Sequence, residues 1–459
     1  MKTIYKIIIT GFLLIVSSCT KEYLDKKPNK ALLVPTTLTD FQALLDNTGV
    51  MNVVPAIQRI AADYYYTTNA GLIAYANPFE QNSYLWAKDV YQGASMSDWN
   101  IPYQQVFYAN IALDGLNDIK PDASTQIDYN RVKGSALFYR AIAFYHLAQL
   151  FCKPYNPATA SQDLGIPISL SSDVNVRPGR GTVQKTYNQI ITDLTAAASL
   201  LPVTATLKSR PSRPAALALL ARAYQTMLNY DQALSYASQC LQLKNSLLDY
   251  NTLSTTSSSP FPASLPNGND EVLFHSITLS YSFAKSALTG IDTLLYRSFS
   301  ANDLRKSLFF NAPNVNNMIR AKNSYAGTAG TFAGIALDEI YLIKAECYAR
   351  KGDINNSMND LNILLAKRYK AGTFASLTAS SADDALAKIL VERRKELLTN
   401  VGLLRWTDLR RLNQEPRFAV TLNRIINGQV YTLPPNDPRY VFPIPDDEIA
   451  GSGIEQNIR

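Results

Sequence analysis

From Asp98 onward, apolar residues recur at helical spacing over most of the chain. Trp99, Tyr103, Phe107 and Asn110 fall at i, i+4, i+8 and i+11, and Leu137, Ala141, Phe144, Ala148 and Phe151 repeat that interval. Two long helices are predicted, with these residues turned inward. A shorter one is expected over 39–47, where Phe41, Leu44 and Leu45 share a side and Asp40 stands near the start. Gly165-Ile166-Pro167-Ile168 breaks the pattern. Thr182 then caps a helix carrying Tyr187, Ile190, Ile191 and Leu194, with Pro202 just beyond it. Another helix is predicted from about 382 to 398. Sustained period-two alternation is almost absent, so the fold class is mainly α.

Two segments share a finer register. Ala221, Ala233 and Cys240 are separated by twelve and seven residues, and so are Ala345, Ser357 and Leu364. Small residues at such intervals let antiparallel helices approach closely, as in tetratricopeptide-like pairs. Pairs are therefore placed near 213–243 and 335–368, although Leu364 is not small. Between and before them lie two irregular aromatic regions, 48–97 and 251–330, punctuated by Asn-Pro, Gly, Ser and Pro. The end of the chain, with Leu433-Pro434-Pro435 and Phe442-Pro443-Ile444-Pro445, is expected to form an extended proline-rich strap over the helices.

The first residues point to a compartment. Lys2 and Lys6 precede an apolar stretch from Ile7 to Val16, followed by Ser17-Ser18-Cys19. Ten helical residues reach about 15 Å against a hydrocarbon core of about 30 Å, so this is a signal peptide and not a membrane span. Cysteine directly after small residues resembles the lipobox of bacterial lipoproteins. The expected organisation is a signal peptide over 1–18, a tether over 19–35 acylated at Cys19, and one helical body over 36–459. Removing Lys2 and Lys6 takes the formal charge from +7 to a mild +5, and no compact Lys/Arg run marks a nucleic-acid surface.

Composition narrows the chemistry. With 47% hydrophobic and 18% charged residues the chain is neither disordered nor a disulfide scaffold. Only His146 and His275 are present, and Cys152, Cys240 and Cys347 lie in apolar helical stretches where buried thiols are expected. A zinc site or a Ser/His or Cys/His pair is poorly supplied, and no metal or cofactor is expected. Glu392 and Glu396 at i, i+4 suit a solvated or ion-paired helix better than a hydrolytic pair. Tyrosine is abundant, at 27 residues, which leans toward recognition.

Several segments in order resemble the SusD/RagB family of Bacteroidetes outer-membrane lipoproteins. They are Cys19, Trp99-x3-Tyr103-x6-Asn110, Ala136-Leu137-Phe138-Tyr139-Arg140-Ala141, Leu164-Gly165-Ile166-Pro167 and Tyr187-x2-Ile190-x2-Asp193-Leu194, closed by Leu201-Pro202. Leu220-Ala221-Arg222-Ala223-Tyr224, Glu339-x2-Leu342-x3-Glu346, Glu392-Arg393-x2-Glu396-Leu397 and Arg405-Trp406-x-Asp408-Leu409-x-Arg411 continue the series. Two departures stand in the tail: Val401-Gly402-Leu403-Leu404 lacks the usual acid, and Gln456-Asn457 lacks the usual following proline.

The resemblance implies a SusD-like α-helical body sitting as a lid over a SusC-like TonB-dependent transporter in the outer membrane, facing the cell exterior. It implies noncovalent capture of glycans, sometimes of peptides. A sugar site needs flat apolar faces and polar side chains. The aromatic residues best placed for it are Tyr64, Tyr65, Tyr66, Tyr84 and Trp86 in the first region and Tyr281, Phe283 and Tyr296 in the second, with Trp86 the most suited to packing. Trp99, Tyr103 and Phe107 are read as core. The alternatives are a surface-anchored glycan-degrading enzyme, a peptide binder and a scaffold that binds only proteins.

Overall fold

The computed structural model describes residues 35–400 and 403–459, apart from the side chains of 399 and 400. The expected signal peptide, Cys19 and the tether up to residue 34 lie outside the described residues. The longer helices are α1 (Leu38–Leu45), α2 (Ser97–Gly115), α3 (Gln126–Phe151), α4 (Val183–Leu200), α5 (Arg213–Thr226), α6 (Tyr230–Leu243), α7 (Leu337–Arg350), α8 (Ile354–Ala366), α9 (Ala382–Asn400) and α10 (Leu404–Leu412). The helices start where side chains can satisfy orphan amides. Thr37 and Asp40 form a reciprocal capping box on α1, and the Thr182 hydroxyl accepts from the Lys185 amide at 3.1 Å on α4.

Every residue from Gly134 to Phe151 is buried, so α3 is enclosed on all faces. It packs between α2 and α4; α4 packs on α5, α5 on α6, α6 on α7, and α7 on α8 and α9. Ala221, Ala233, Cys240, Ala345, Ser357 and Leu364 are all fully buried, so the twelve-and-seven register marks the contact faces of the pairs α5/α6 and α7/α8. The three described cysteines are free and buried, as their apolar context predicts.

Phe107 departs from its expected core position: it is 37% exposed, whereas Trp99 and Asn110 are buried. Steps of four residues drift by about 40° each at 3.6 residues per turn, so Phe107 is rotated about 80° from Trp99 and Asn110 returns to within about 20°.

Strands are short. They comprise β1 (Val53–Val54), β2 (Tyr65–Thr67), β3 (Leu164–Pro167), β4 (Arg180–Thr182), β5 (Val272–Phe274), β6 (Ile277–Thr278), β7 (Thr289–Ile291), β8 (Ile335–Ala336), β9 (Leu422–Ile426) and β10 (Gln429–Leu433). They join in two-stranded units: β1 with β6 in parallel, and β2/β7, β3/β4, β5/β8 and β9/β10 antiparallel. At Gly165 a Cβ would come within 2.4 Å of the Thr182 carbonyl oxygen, which explains the glycine in Leu164-Gly165-Ile166-Pro167.

A β9/β10 hairpin leads into the proline-rich strap. Asn427 and Gly428 have φ of 50° and 79°, the left-handed pair of a tight hairpin turn, and β9 alternates buried and exposed residues. Beyond it the strap closes the C-terminal end of α3. The Phe442 amide donates to the Leu150 carbonyl at 2.9 Å, Asn457 Nδ2 donates to that of Phe151 at 2.9 Å, and Arg410 donates to those of Gln149 and Cys152.

The interior holds an extensive set of ion pairs. Arg305 Nη2 lies 2.7 Å from Asp303 and 2.6 Å from Glu392, and its Nη1 lies 3.0 Å from Glu396. Arg368 bridges Glu396 at 2.7 Å and Glu271 at 2.5 Å. Arg222 grips Glu339, Arg393 pairs with Asp408, and Glu346 accepts from Arg350, Arg411 and Gln225. Glu392 and Glu396 are thus ion-paired, and inside the protein.

Removing Arg305 takes from Asp303 its ion pair, while Glu396 keeps Arg368 and Glu392 keeps Lys395. Arg305→Met leaves Asp303, Glu392 and Glu396 without their shared cation and should lower the unfolding free energy by about 3–5 kcal/mol. Guanidinium titration checks this, and a loss below about 1 kcal/mol would refute it.

Glu346 supplies a pH signature. Burial pushes its carboxyl up, but Arg411 and Arg350 outweigh that and hold it at about 2, against an ordinary 4.5. A depressed carboxylate stabilises fully above 4.5 and loses that contribution as pH falls through about 2. Glu346→Gln should flatten the stability curve across that window, measured by urea unfolding at each pH; an unchanged slope would contradict the assignment.

Candidate functional site

The two irregular aromatic regions meet in space. Backbone bonds run from Ile277 N to Asn52 O at 2.9 Å, from Leu279 N to Val54 O at 2.8 Å and from Asp292 N to Tyr64 O at 2.8 Å. Around these seams Phe283 inserts its ring among Tyr65, Tyr75 and Tyr84, with centroids 5.7, 5.4 and 6.2 Å away, and Phe79 packs edge-on against Tyr281. Buried carboxylates pin the same seam. Glu80 accepts from the Phe283 amide at 2.7 Å and the Ser282 hydroxyl at 2.8 Å. Asp98 accepts from the amides of Ala56 and Ile57 and from the Tyr281 hydroxyl. Burial raises the Asp98 carboxyl above its usual range despite those donors.

Beside this aromatic floor lies a cavity of about 400 Å³. Its walls come from Arg59, Tyr65, the chain after β6 and the segments 319–324 and 329–331. Arg59 is nearly buried. It donates through Nη1 to Thr331 Oγ1 at 2.8 Å and through Nε to the Tyr65 hydroxyl at 3.2 Å, and its guanidinium stands 4.8 Å from the Tyr65 ring centre. Thr278, Ser280, Asn323 and Ser324 add polar lining. A second hollow of about 480 Å³ shares Lys322 with the first and is lined by Tyr296, Phe310, Lys306 and Lys370 among others. The Lys306 ammonium stands 5.1 Å from the Tyr296 ring centre. The two hollows, here the groove, adjoin at Lys322, and each has a tyrosine in its lining.

The structure separates the aromatic candidates by task. Tyr65 lines the first hollow and Tyr296 the second. Tyr66 is half-buried against Gly290, and Tyr281 is half-buried with its hydroxyl turned to Asp98. Tyr64, Tyr84, Trp86 and Phe283 are buried, with no more than 3% of their surface exposed, so they present no face to a ligand here. Their partners explain why. The Tyr64 hydroxyl donates to the Arg394 carbonyl at 2.8 Å, and Trp86 Nε1 donates to that of Ala61 at 2.9 Å. Arg424 from β9 stands 3.8 Å from the Tyr84 ring centre and 4.3 Å from that of Trp86, and donates to the carbonyls of Ile60, Ala61, Ala62 and Tyr84. These rings pack the interior of the first aromatic region, and Tyr84 and Trp86 clamp the hairpin to it.

A SusD-like family model described as starch-binding associating with outer membrane matches residues 22–225, and the model of the SusD family matches residues 314–458. The chain belongs to the SusD family. No curated relative matches it. Among solved structures, a SusD superfamily protein from Bacteroides thetaiotaomicron is 23% identical over 92% of this chain and 100% of its own, with a TM-score of 0.73. A SusD-like carbohydrate binding protein from Bacteroides vulgatus is 20% identical over 91% and 97%, at 0.66, and a SusD superfamily protein from Parabacteroides distasonis is 15% identical over 92% and 98%, at 0.67. At these identities the likeness establishes the mainly α, SusD-like fold.

The SusD-family motifs map onto the frame and not onto the groove. Asn110 and Asp193 both hold Arg140, at 3.0 Å and 2.7–2.8 Å, tying α2, α3 and α4 together. Arg59, Lys285, Arg320 and Lys322 were not singled out in the sequence. Arg59 alone left a sign, a charge inside the apolar run Ala56-Ile57-Gln58-Arg59-Ile60-Ala61-Ala62.

Groups with catalytic or metal-binding chemistry are engaged elsewhere. Ser264 Oγ and His275 Nδ1 are 2.6 Å apart, but Ser264 is fully buried, and burial holds the imidazole near 4. His146 is a core residue whose Nε2 has no partner among the described residues; burial and then Arg222 hold it near 3. Glu271, Asp338 and Glu396 place carboxylate oxygens within 4.8 Å of one another. Arg368 already bonds Glu271 and Glu396, supplying the positive charge that a metal would bring.

Phe283 is the keystone of the aromatic floor. Phe283→Ala removes a buried ring touching Tyr65, Tyr75 and Tyr84 and should cost about 3–5 kcal/mol of stability. Thermal or denaturant unfolding reads this directly, and a change under about 1 kcal/mol would show that the floor does not depend on it.

Proposed function

We propose that this SusD-family protein is a surface lipoprotein that captures oligosaccharide in the groove between the aromatic regions, without cleaving it, and passes it to a SusC-like TonB-dependent transporter. Residues 36–459 act as one binding unit, tethered to the outer membrane by acylated Cys19 and the segment up to residue 35. The observation that carries this reading is the groove itself. It sits on a floor of interlocked rings, has Tyr65 and Tyr296 in its walls, and has hydroxyl and amide side chains around them. Rings supply flat apolar contact for the C–H faces of sugars at small entropic cost, and the polar groups meet the hydroxyls. The family description and the carbohydrate-binding neighbour support the ligand class. Among the described residues no helix is long and apolar enough to cross a membrane, which accords with anchoring by lipid.

The enzymatic alternative lacks comparable support. Asp303, the acid in the groove lining among the described residues, is bonded to Arg305, and in the Ser264–His275 pair the serine is fully buried.

The test is incubation of the purified protein with a panel of polysaccharides. Retardation in affinity gels and heat of binding, with no new reducing ends, is the expected result. Release of reducing ends by the protein would overturn the binding reading, and so would failure to bind any saccharide.

A further inference from the structure

Charge is distributed unevenly between the groove and the rest of the molecule. Arg140, Arg222, Arg305, Arg368, Arg393 and Arg411 are buried, and each is paired with a carboxylate. Among the described residues buried Arg410 and Arg424 have none, but both spread their charge over backbone carbonyls, and Arg424 also over two rings. Arg59 fits neither pattern. It is 9% exposed, its donors reach the hydroxyls of Tyr65 and Thr331, and no carboxylate lies within 4 Å of it among the described residues. A desolvated guanidinium without a counter-charge is costly. Here it forms the wall of an open cavity.

Other cations face the same space. Lys285, Arg320 and Lys322 line the first hollow, and Lys322, Lys306 and Lys370 line the second. Their contacts that hold them are neutral: Arg320 donates to the Lys285 carbonyl at 3.0 Å, Lys322 to that of Thr255 at 2.6 Å, and Lys306 to that of Phe299 at 3.2 Å. None of these side chains is in an ion pair among the described residues. The first hollow has no acidic residue in its lining, and the single acid lining the second, Asp303, is 2% exposed and bound to Arg305.

We infer that the groove selects an anionic saccharide, one whose rings carry carboxylate or sulfate groups, with Arg59 as the innermost anion contact and Lys285, Arg320 and Lys322 around it. This rests on the saccharide-binding reading above and narrows its ligand class. A guanidinium pre-set by two hydroxyls loses little freedom on meeting an oxyanion, and the charge-assisted bonds that follow are stronger than those to a neutral hydroxyl. Neutral sugars would leave the Arg59 charge unmet in a low-dielectric wall. Discrimination therefore comes from the protein side as well as from attraction.

Calorimetry separates the possibilities, using oligogalacturonate and a sulfated chondroitin oligosaccharide as the anionic probes and malto- and xylo-oligosaccharides as the neutral ones. At least one anionic probe should bind more tightly than every neutral one, and its affinity should fall with added salt. The uronate and sulfate arms show which oxyanion the groove prefers. Lys285→Gln with Arg320→Gln alters the rim, where folding should be undisturbed, and should weaken the anionic probe by about ten-fold or more. Arg59→Gln should weaken it further, with circular dichroism confirming the fold. Neutral probes binding as tightly as anionic ones, or an affinity unmoved by the rim variant, would overturn the anion inference while leaving saccharide binding intact. Binding of none of the probes would overturn the inference, and if the wider panel also failed it would remove the saccharide reading too.

Discussion

A helical stack of this kind has an alignment problem, and the buried arginine–carboxylate pairs resolve it. Faces lined by Ala, Leu and Cys can slide by a turn and still be apolar, so hydrophobic contact alone specifies register weakly. A guanidinium fork cannot slide. Arg222 of α5 must meet Glu339 of α7 at 2.5 Å, and Arg411 of α10 must meet Glu346 of α7, or charges are left stranded in the interior. The net energy of such pairs is small because desolvation offsets attraction. Misalignment is nevertheless heavily penalised. The pairs therefore act as locks on geometry more than as glue.

The same locks reach into the irregular region that walls the groove. Arg305 belongs to that region with its neighbour Asp303, yet its other partners Glu392 and Glu396 sit on α9. Glu271 is joined to Arg368, just beyond α8, and accepts from the Tyr325 hydroxyl at 3.1 Å, while Tyr325 meets the Tyr250 hydroxyl at 2.8 Å. Segments 301–312 and 319–331, which carry much of the groove lining, are thus anchored on the long helices, with only one short helical turn, Arg305–Phe309, of their own. A loop held this way meets its ligand already ordered, so less of the binding energy goes into freezing it. Interior acids are consumed by the frame, whereas Arg59, Lys285, Arg320 and Lys322, which have no carboxylate partner among the described residues, face the groove.

This division of labour explains what could be read from one dimension. Helix faces and the twelve-and-seven register were legible because they obey a period or a fixed local spacing, and Arg140 and Asp193 were legible through the family resemblance. The groove obeys neither. It is assembled by two- and three-residue strands such as β1/β6 and β2/β7, whose partners lie more than 200 positions apart and which are too short to show alternation. Arg59 and Arg320 come to line one cavity through those seams. The β9/β10 hairpin was the exception among the strands. Its Asn427-Gly428 turn was a usable local signal, masked by the prolines on its C-terminal side.

Tyrosine abundance points to recognition when taken as composition, and the structure gives several of these residues a different cause. Irregular backbone lacks ladder partners, so its carbonyls need donors from elsewhere. A tyrosine supplies a rigid apolar body that fills space beside a helix and a hydroxyl that reaches the chain beyond it. Tyr103 donates to Pro167 at 2.9 Å, Tyr139 to Ser209 at 2.7 Å, Tyr64 to Arg394 at 2.8 Å and Tyr341 to Asn245 at 3.1 Å, each joining a distant segment. Long loops laid over a helical stack generate such unpaired carbonyls wherever they run. Tyr65 differs because its hydroxyl accepts from Arg59 and its ring stands in the wall of a hollow, so the same side chain that braces the loops elsewhere here orients a charge toward solvent.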